Sequence, residues 1–152
     1  MSFLLTGSEY ISWWLYGLPR FFESTAVDLL SGGVGYLFQA AGILAFALLV
    51  RKRPELALNR RLFASLVVMD VAMTAAVMLS AGAFPVLLFG LIMNLLHGAI
   101  AAYYLTRLAQ YVPQQSRGMT FGMAYAFGSV GSWAMSLPMG GAFLGTPYVL
   151  IA

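Results

Sequence analysis

One histidine, one aspartate and one pair of opposite charges stand inside apolar stretches of this chain, and the imidazole and carboxyl groups among them can hold or pass a proton. His97 is the single histidine among 152 residues. It falls within 84–108, FPVLLFGLIMNLLHGAIAAYYLTRL, with Asn94 one helical turn before it. Asp70 falls near the middle of 62–80, LFASLVVMDVAMTAAVMLS. Arg20 and Glu23 are three apart within 10–30, and Gln39 interrupts 34–50. An imidazole with its unperturbed pKa of about 6.5 loads and unloads near neutral pH, so the chemistry such a set supports is a proton relay. Each residue also has a structural reading. His97 can be a neutral hydrogen-bonding group, and Asp70 a partner for Arg20 in assembly. Arg20 with Glu23 can be a local pair, and Asn94 and Gln39 can be glue between helices.

Other chemistries find no residues here. There is no cysteine, which removes disulfides, thiolate metal sites and thiol nucleophiles. A lone histidine rules out bis-histidine haem ligation and argues against a histidine-rich metal centre. No metal-ligand set, nucleophile–base pair or phosphate loop is visible, so neither an enzyme, a bound metal nor a cofactor is expected. The formal net charge of +3 is no nucleic-acid signature. Hydrophobic residues make up 61% and charged residues 9% of the chain, whereas a soluble domain is about one quarter charged. With a mean hydropathy of +0.86, the expectation is an all-α, polytopic transmembrane bundle whose solvent is the lipid bilayer.

The elements that would position the polar residues are helices over about 10–30, 34–50, 62–80, 84–108 and 119–137. An apolar tail over 142–152 follows, all in one transmembrane domain of four to five spans. Residues 84–108 alone, at roughly 1.5 Å per residue, can cross a hydrocarbon core of about 30 Å. The first segment has two readings. It can lie at the interface with Trp13 and Trp14 among the headgroups. It can instead span, kinked near Pro19, with Arg20 and Glu23 neutralising each other on one face. Length and pairing favour the spanning form. Ser31, Gly32 and Gly33 read as a tight turn. No internal repeat is present. The start, MSFLLTGSEY, lacks the basic region of a signal peptide, and the apolar finish leads us to expect a truncated chain or a tail packed on a partner.

Charge fixes an orientation. Five of the eight basic residues fall within 51–61, RKRPELALNRR, and Arg107 and Arg117 flank or enter the loop 109–118. Basic loops stay inside, which predicts a bacterial inner-membrane protein with 51–61 and 109–118 cytoplasmic. Counted from the loop ends, Asp70 is about 13 Å deep and His97 about 15 Å. With a first span starting near Tyr10, Arg20 is also about 15 Å deep and Glu23 slightly deeper. Ionisable groups from three helices would then meet near the midplane, where many secondary transporters hold substrate and ions. Small residues at four-residue spacing predict contact stripes. These are Gly90, Gly98 and Ala102 with Asn94 between, Ala124 through Gly140, and Ala64, Ala72, Ala76 and Ser80.

From His97 onward, HGAIAAYYLTRLAQYVPQQSRGMTFGMAYAFGSVGSWAMSLPMGGAF resembles two consecutive helices of the major facilitator superfamily. The shared features are an aromatic-rich helix end, the loop Pro113 to Gly118 with Arg117, and a helix with Gly122, Gly128 and Gly131 closing on Pro138 to Gly141. Leu96-His97 opening this pattern resembles the proton-coupled sugar symporter branch, which implies His97 as a coupling residue and a chain akin to the C-terminal half. The superfamily's loop signature survives as Asn59-Arg60-Arg61, with Leu56 in the place of its Asp. Ile100 stands where the branch carries a glutamate. The superfamily uses twelve helices in two halves. The expectation is therefore a half-sized or truncated relative of proton-coupled transporters for a small solute, completed by another membrane chain or a second copy. The alternative is a non-catalytic membrane subunit of a larger complex. His97, Asp70, Arg20, Glu23, Asn94 and Gln39 are the candidate cavity residues.

Overall fold

The computed structural model describes residues 2–136. The end of the last predicted helix, Gly140 of its stripe and the apolar tail 142–152 lie outside the described residues. Within them the chain is entirely helical, with no strand.

The first helix is not the one the sequence predicts. α1 (Ser2–Ser12) runs on through wider π-type turns over Trp13–Gly17 and a tight 3-10 turn, Leu18–Arg20. Pro19 in that final turn brings no N–H to continue the ladder, and the chain leaves the helix at Phe21 (φ −135°). Glu23 is extended and opens α2 (Ser24–Asp28). α2 passes through π-type turns over Leu29–Gly35 into α3 (Tyr36–Lys52), making one helical stretch of 29 residues. The expected turn at Ser31, Gly32 and Gly33 is thus helix, and the break falls ten residues earlier, at 21–23. Wide turns absorb the glycines, and Ser31 Oγ donates to Val27 O at 2.7 Å, a local bond of the kind that tolerates glycine in packed helices.

Arg53 ends α3, and a 3-10 turn over Pro54–Leu56 leads to α4 (Arg60–Leu79). Asn59 caps α4, its Oδ1 accepting from the N–H groups of Arg61 and Leu62 at 2.9 and 3.2 Å. Such a cap satisfies first-turn donors that no carbonyl can reach. α5 (Ala83–Tyr111) returns after Gly82, with Pro85 in the first turn, where its missing N–H is harmless. α6 (Gln114–Ser136) follows Pro113.

Three helices are long and apolar enough to cross a membrane among the described residues: Ser24–Lys52, Arg60–Leu79 and Ala83–Tyr111. The sequence leads to an expectation of four or five. α5 is the centre, packed by α3 and α4, while α6 packs chiefly on α1. One apolar cluster gathers Trp13, Leu18, Val27, Val77, Val86 and Met93. At the other end Tyr103 stacks on Phe63 at 4.7 Å and meets Phe46 edge-on at 6.0 Å. That contact joins the end of α3, the start of α4 and the end of α5. Arg51, Lys52, Arg53, Arg60, Arg61, Arg107 and Arg117 all belong to this end, leaving one of the eight cations, Arg20, for the opposite end. Leu37, Leu44, Val68, Leu79, Phe84 and Phe127 are exposed on the outside.

The stripe on α5 is a contact face: Gly90, Asn94, Gly98 and Ala102 are all buried. A Cβ on Gly98 would run into the carbonyl of Gln39, and one on Gly42 into that of Leu95, so α3 and α5 cross backbone to backbone. On α6, Gly128 and Ser132 are buried and Ala124 is exposed. The third stripe is corrected. Ala64 and Ala72 are exposed, while Ala76 is half-buried and Ser80 buried, and α4 turns Asp70, Thr74 and Val77 inward. Apolar bulk and the polar partner decide the buried face there, not the smallness of alanine. Trp13 is likewise buried rather than interfacial, its indole N–H donating to Val86 O at 3.3 Å.

Candidate functional site

Three helices each turn one ionisable side chain to a common point. α1 offers Glu9 on the face that also buries Ser12 and Trp13. α4 offers Asp70, one turn before Thr74 and two before Val77. α5 offers His97, between Asn94 and Ile100 on its buried side. His97 Nε2 lies 3.2 Å from Glu9 Oε2 and 3.3 Å from Asp70 Oδ2. Glu9 and Asp70 are 0% exposed and His97 5%, so the cluster is shielded from bulk solvent.

The donors fall short of the acceptors. Both contacts use the same ring nitrogen, and an imidazole nitrogen carries at most one hydrogen. Charge-assisted N–H···O bonds run at about 2.7–2.9 Å, and both distances here are longer. Glu9 Oε1 and Asp70 Oδ1 are buried with no hydrogen-bond partner, and Asp70 Oδ2 has only the long contact with His97. Thr74 Oγ1, the nearest hydroxyl on α4, is engaged at 3.1 Å with the carbonyl of Asp70. Among the described residues, no lysine or arginine forms an ion pair with either carboxylate. The donor atoms of the three side chains all lie within 4.8 Å of one another, close enough to hold a metal ion.

A cavity of about 420 Å³ adjoins the cluster, with His97 in its wall together with Tyr10, Tyr36, Gln39, Tyr104 and Tyr125. Tyr10 and Tyr36 stack at 5.9 Å. α1, α3, α5 and α6 therefore each contribute a surface that is apolar in the ring and polar at the tip.

His97 and Asp70 meet as the depth count expects. Asn94 and Gln39 meet one another: Gln39 Nε2 donates to Asn94 Oδ1 at 2.9 Å, and Asn94 Nδ2 to Gly90 O at 2.8 Å. That is the interhelical bond expected of them, and Gln39 keeps a place in the cavity wall. Arg20 and Glu23 are not brought to the site. Arg20 closes the first helical run and donates to Met78 O and Ser80 O at 3.3 and 2.9 Å, capping the end of α4. Glu23 is exposed in the break before α2. Their expected depth rested on a span starting near Tyr10, whereas the helix starts at Ser2.

The same shift explains why the sequence reading passes over Glu9, the member it lacks. With the helix placed over 10–30, Glu9 falls in its cap. Its position relative to Arg20 holds the missing signal. Eleven residues, about 16 Å of helix, separate them, nearly the depth of Asp70 from Leu79. The three side chains are not legible as one group in the sequence, because they are spread over 88 residues of chain.

No family model matches the chain, and neither a curated protein nor a solved structure does. The resemblance to the major facilitator superfamily therefore rests on the motifs quoted above alone.

Proposed function

We propose that this chain is an integral-membrane transport protein for a small solute, half the size of a two-bundle transporter. One observation carries the reading. A histidine and two carboxylates from three helices converge, buried, and the histidine also borders a cavity large enough for a small molecule. Ionisable groups inside a membrane are expensive and mark ion or substrate paths. The motif resemblance implies coupling to protons. Alternating access requires two bundles around one site, so a second copy or another membrane chain completes the pathway.

The orientation follows from the seven cations at one end, which belong on the cytoplasmic side of a bacterial inner membrane. The absence of cysteine makes the check direct. In intact cells, single cysteines replacing Glu55 or Gln115 should resist a membrane-impermeant maleimide, and one replacing Ala81 should react. Labelling of all three from outside would remove the bilayer orientation.

Transport is tested in membrane vesicles from cells producing the chain, which retain any partner. Sugars, organic acids, amino acids and divalent cations are each added while internal pH is followed by a trapped dye. At least one class should move protons, and Asp70→Asn should slow that movement about tenfold or more at equal protein level. Traces identical to vesicles lacking the chain for every class would defeat the reading. A non-transporting subunit is the second reading, favoured by the outer side of α6, where Met119, Phe127 and Val130 are exposed. Crosslinking to a stoichiometric foreign chain, without transport, would select it.

A further inference from the structure

We infer that Glu9, Asp70 and His97 form a binding site for a divalent transition-metal cation. The site stands on its own geometry. The transport reading above enters only to make the cation the cargo.

Geometry comes first. A metal with bonds of about 2.0–2.2 Å holds neighbouring ligands roughly 3.3 Å apart in a tetrahedral shell. The separations of 3.2 and 3.3 Å from His97 Nε2 to the two carboxylates are already such edges. All three donor atoms lie within 4.8 Å of one another, so bringing the Glu9–Asp70 edge to about 3.3 Å takes at most about 1.5 Å of movement, shared between two flexible side chains.

The second observation is independent of spacing. Two carboxylate oxygens, Glu9 Oε1 and Asp70 Oδ1, are buried without a hydrogen-bond donor, and Asp70 Oδ2 has only the shared His97 Nε2 at 3.3 Å. Unpaired buried acceptors are rare in folded proteins and require an explanation such as an ion. A cation supplies what the single imidazole hydrogen cannot, because it accepts lone pairs from every side at once.

Charge gives the valence. Two carboxylates with a neutral imidazole carry −2. A divalent cation brings the cluster to zero, which a low-dielectric interior strongly favours over a net charge. A monovalent ion leaves −1 in place.

Ligand chemistry narrows the class. Magnesium and calcium prefer shells built of oxygen alone. An imidazole beside carboxylates suits manganese, iron, cobalt or zinc, and copper(I) sites favour soft sulfur ligands, which none of these three side chains offers. His97 borders the cavity, so positions left open by the three side chains face a space where water can ligate.

The test uses the purified full chain in detergent with Mn²⁺ alone as the probe. Free Mn²⁺ is counted by its electron paramagnetic resonance signal, and thermal unfolding is followed in parallel. One saturable site per chain is expected, with an upward shift of the unfolding midpoint on binding. Glu9→Gln and Asp70→Asn should each weaken binding tenfold or more and remove the shift. Glu23→Gln, outside the cluster, should change neither. Absence of saturable binding by folded wild-type chain overturns the site, as does binding that Glu9→Gln and Asp70→Asn leave intact. Solute-driven proton movement in vesicles without Mn²⁺ binding overturns the site while the transport reading stands.

Discussion

His97→Leu is expected to lower the folding stability of the detergent-solubilised chain by about 3–5 kcal/mol. Among the described residues the imidazole is the one basic group within ion-pair reach of both Glu9 and Asp70, and two of their oxygens already lack any donor. Leucine fills much of the volume but leaves two buried carboxylates facing each other with nothing between them. Removing one partner of a buried charged set is costly because the survivors stay desolvated. The comparison that isolates this cause is the triple change Glu9→Gln, Asp70→Asn, His97→Leu. With the acids neutralised, most of the loss should return, since neutral replacements of a buried ionic cluster are often neutral or stabilising by about 1–4 kcal/mol. Denaturant titration followed by far-ultraviolet circular dichroism gives both numbers. A single change costing less than about 1 kcal/mol would mean the three side chains do not depend on one another.

Gly98→Leu should be the most damaging change away from the charged cluster. A Cβ there meets the backbone carbonyl of Gln39 on α3, and the reciprocal Gly42 meets that of Leu95 on α5. A flexible side chain could swing aside, but two backbones cannot, so the helices must separate. The loss is expected at about 3 kcal/mol, the upper end for overpacking a well-filled site. It should be visible as a fall in the thermal midpoint. The damage reaches the cavity too, because parting α3 from α5 breaks the bond from Gln39 to Asn94 and moves Tyr36. Gly122→Ala is the control. Nothing lies within 4 Å of its added methyl group, and an alanine inside a helix is favoured over glycine by about 1 kcal/mol, so the midpoint should hold or rise.

Much of the second half of the chain was legible. The predicted spans 62–80 and 84–108 correspond to Arg60–Leu79 and Ala83–Tyr111, because charged or extended loops bound both. Depth counted from those loops brought Asp70 and His97 to one level, and helix geometry then leaves little freedom. The first half was less legible. Pro19 and the Gly32-Gly33 pair are both breaking signals, and local sequence does not rank them when neighbouring helices can support a widened turn. Choosing the glycines moved the start of the first helix from Ser2 to Tyr10. That single slip put Arg20 in the cluster and left Glu9 out. The face of α4 was hidden for another reason. Alanines four apart look like a packing seam, yet which side of a helix is covered depends on what the neighbouring helices carry.

Arg20 fastens the first helical run onto the last carbonyls of α4, and Trp13 fastens it again to Val86 of α5. Glu9 lies about 16 Å of helix beyond Arg20. Its carboxylate therefore reaches Asp70 and His97 from a run held at two points to the very helices that carry them, so the register of the cluster is set by an anchorage well away from it.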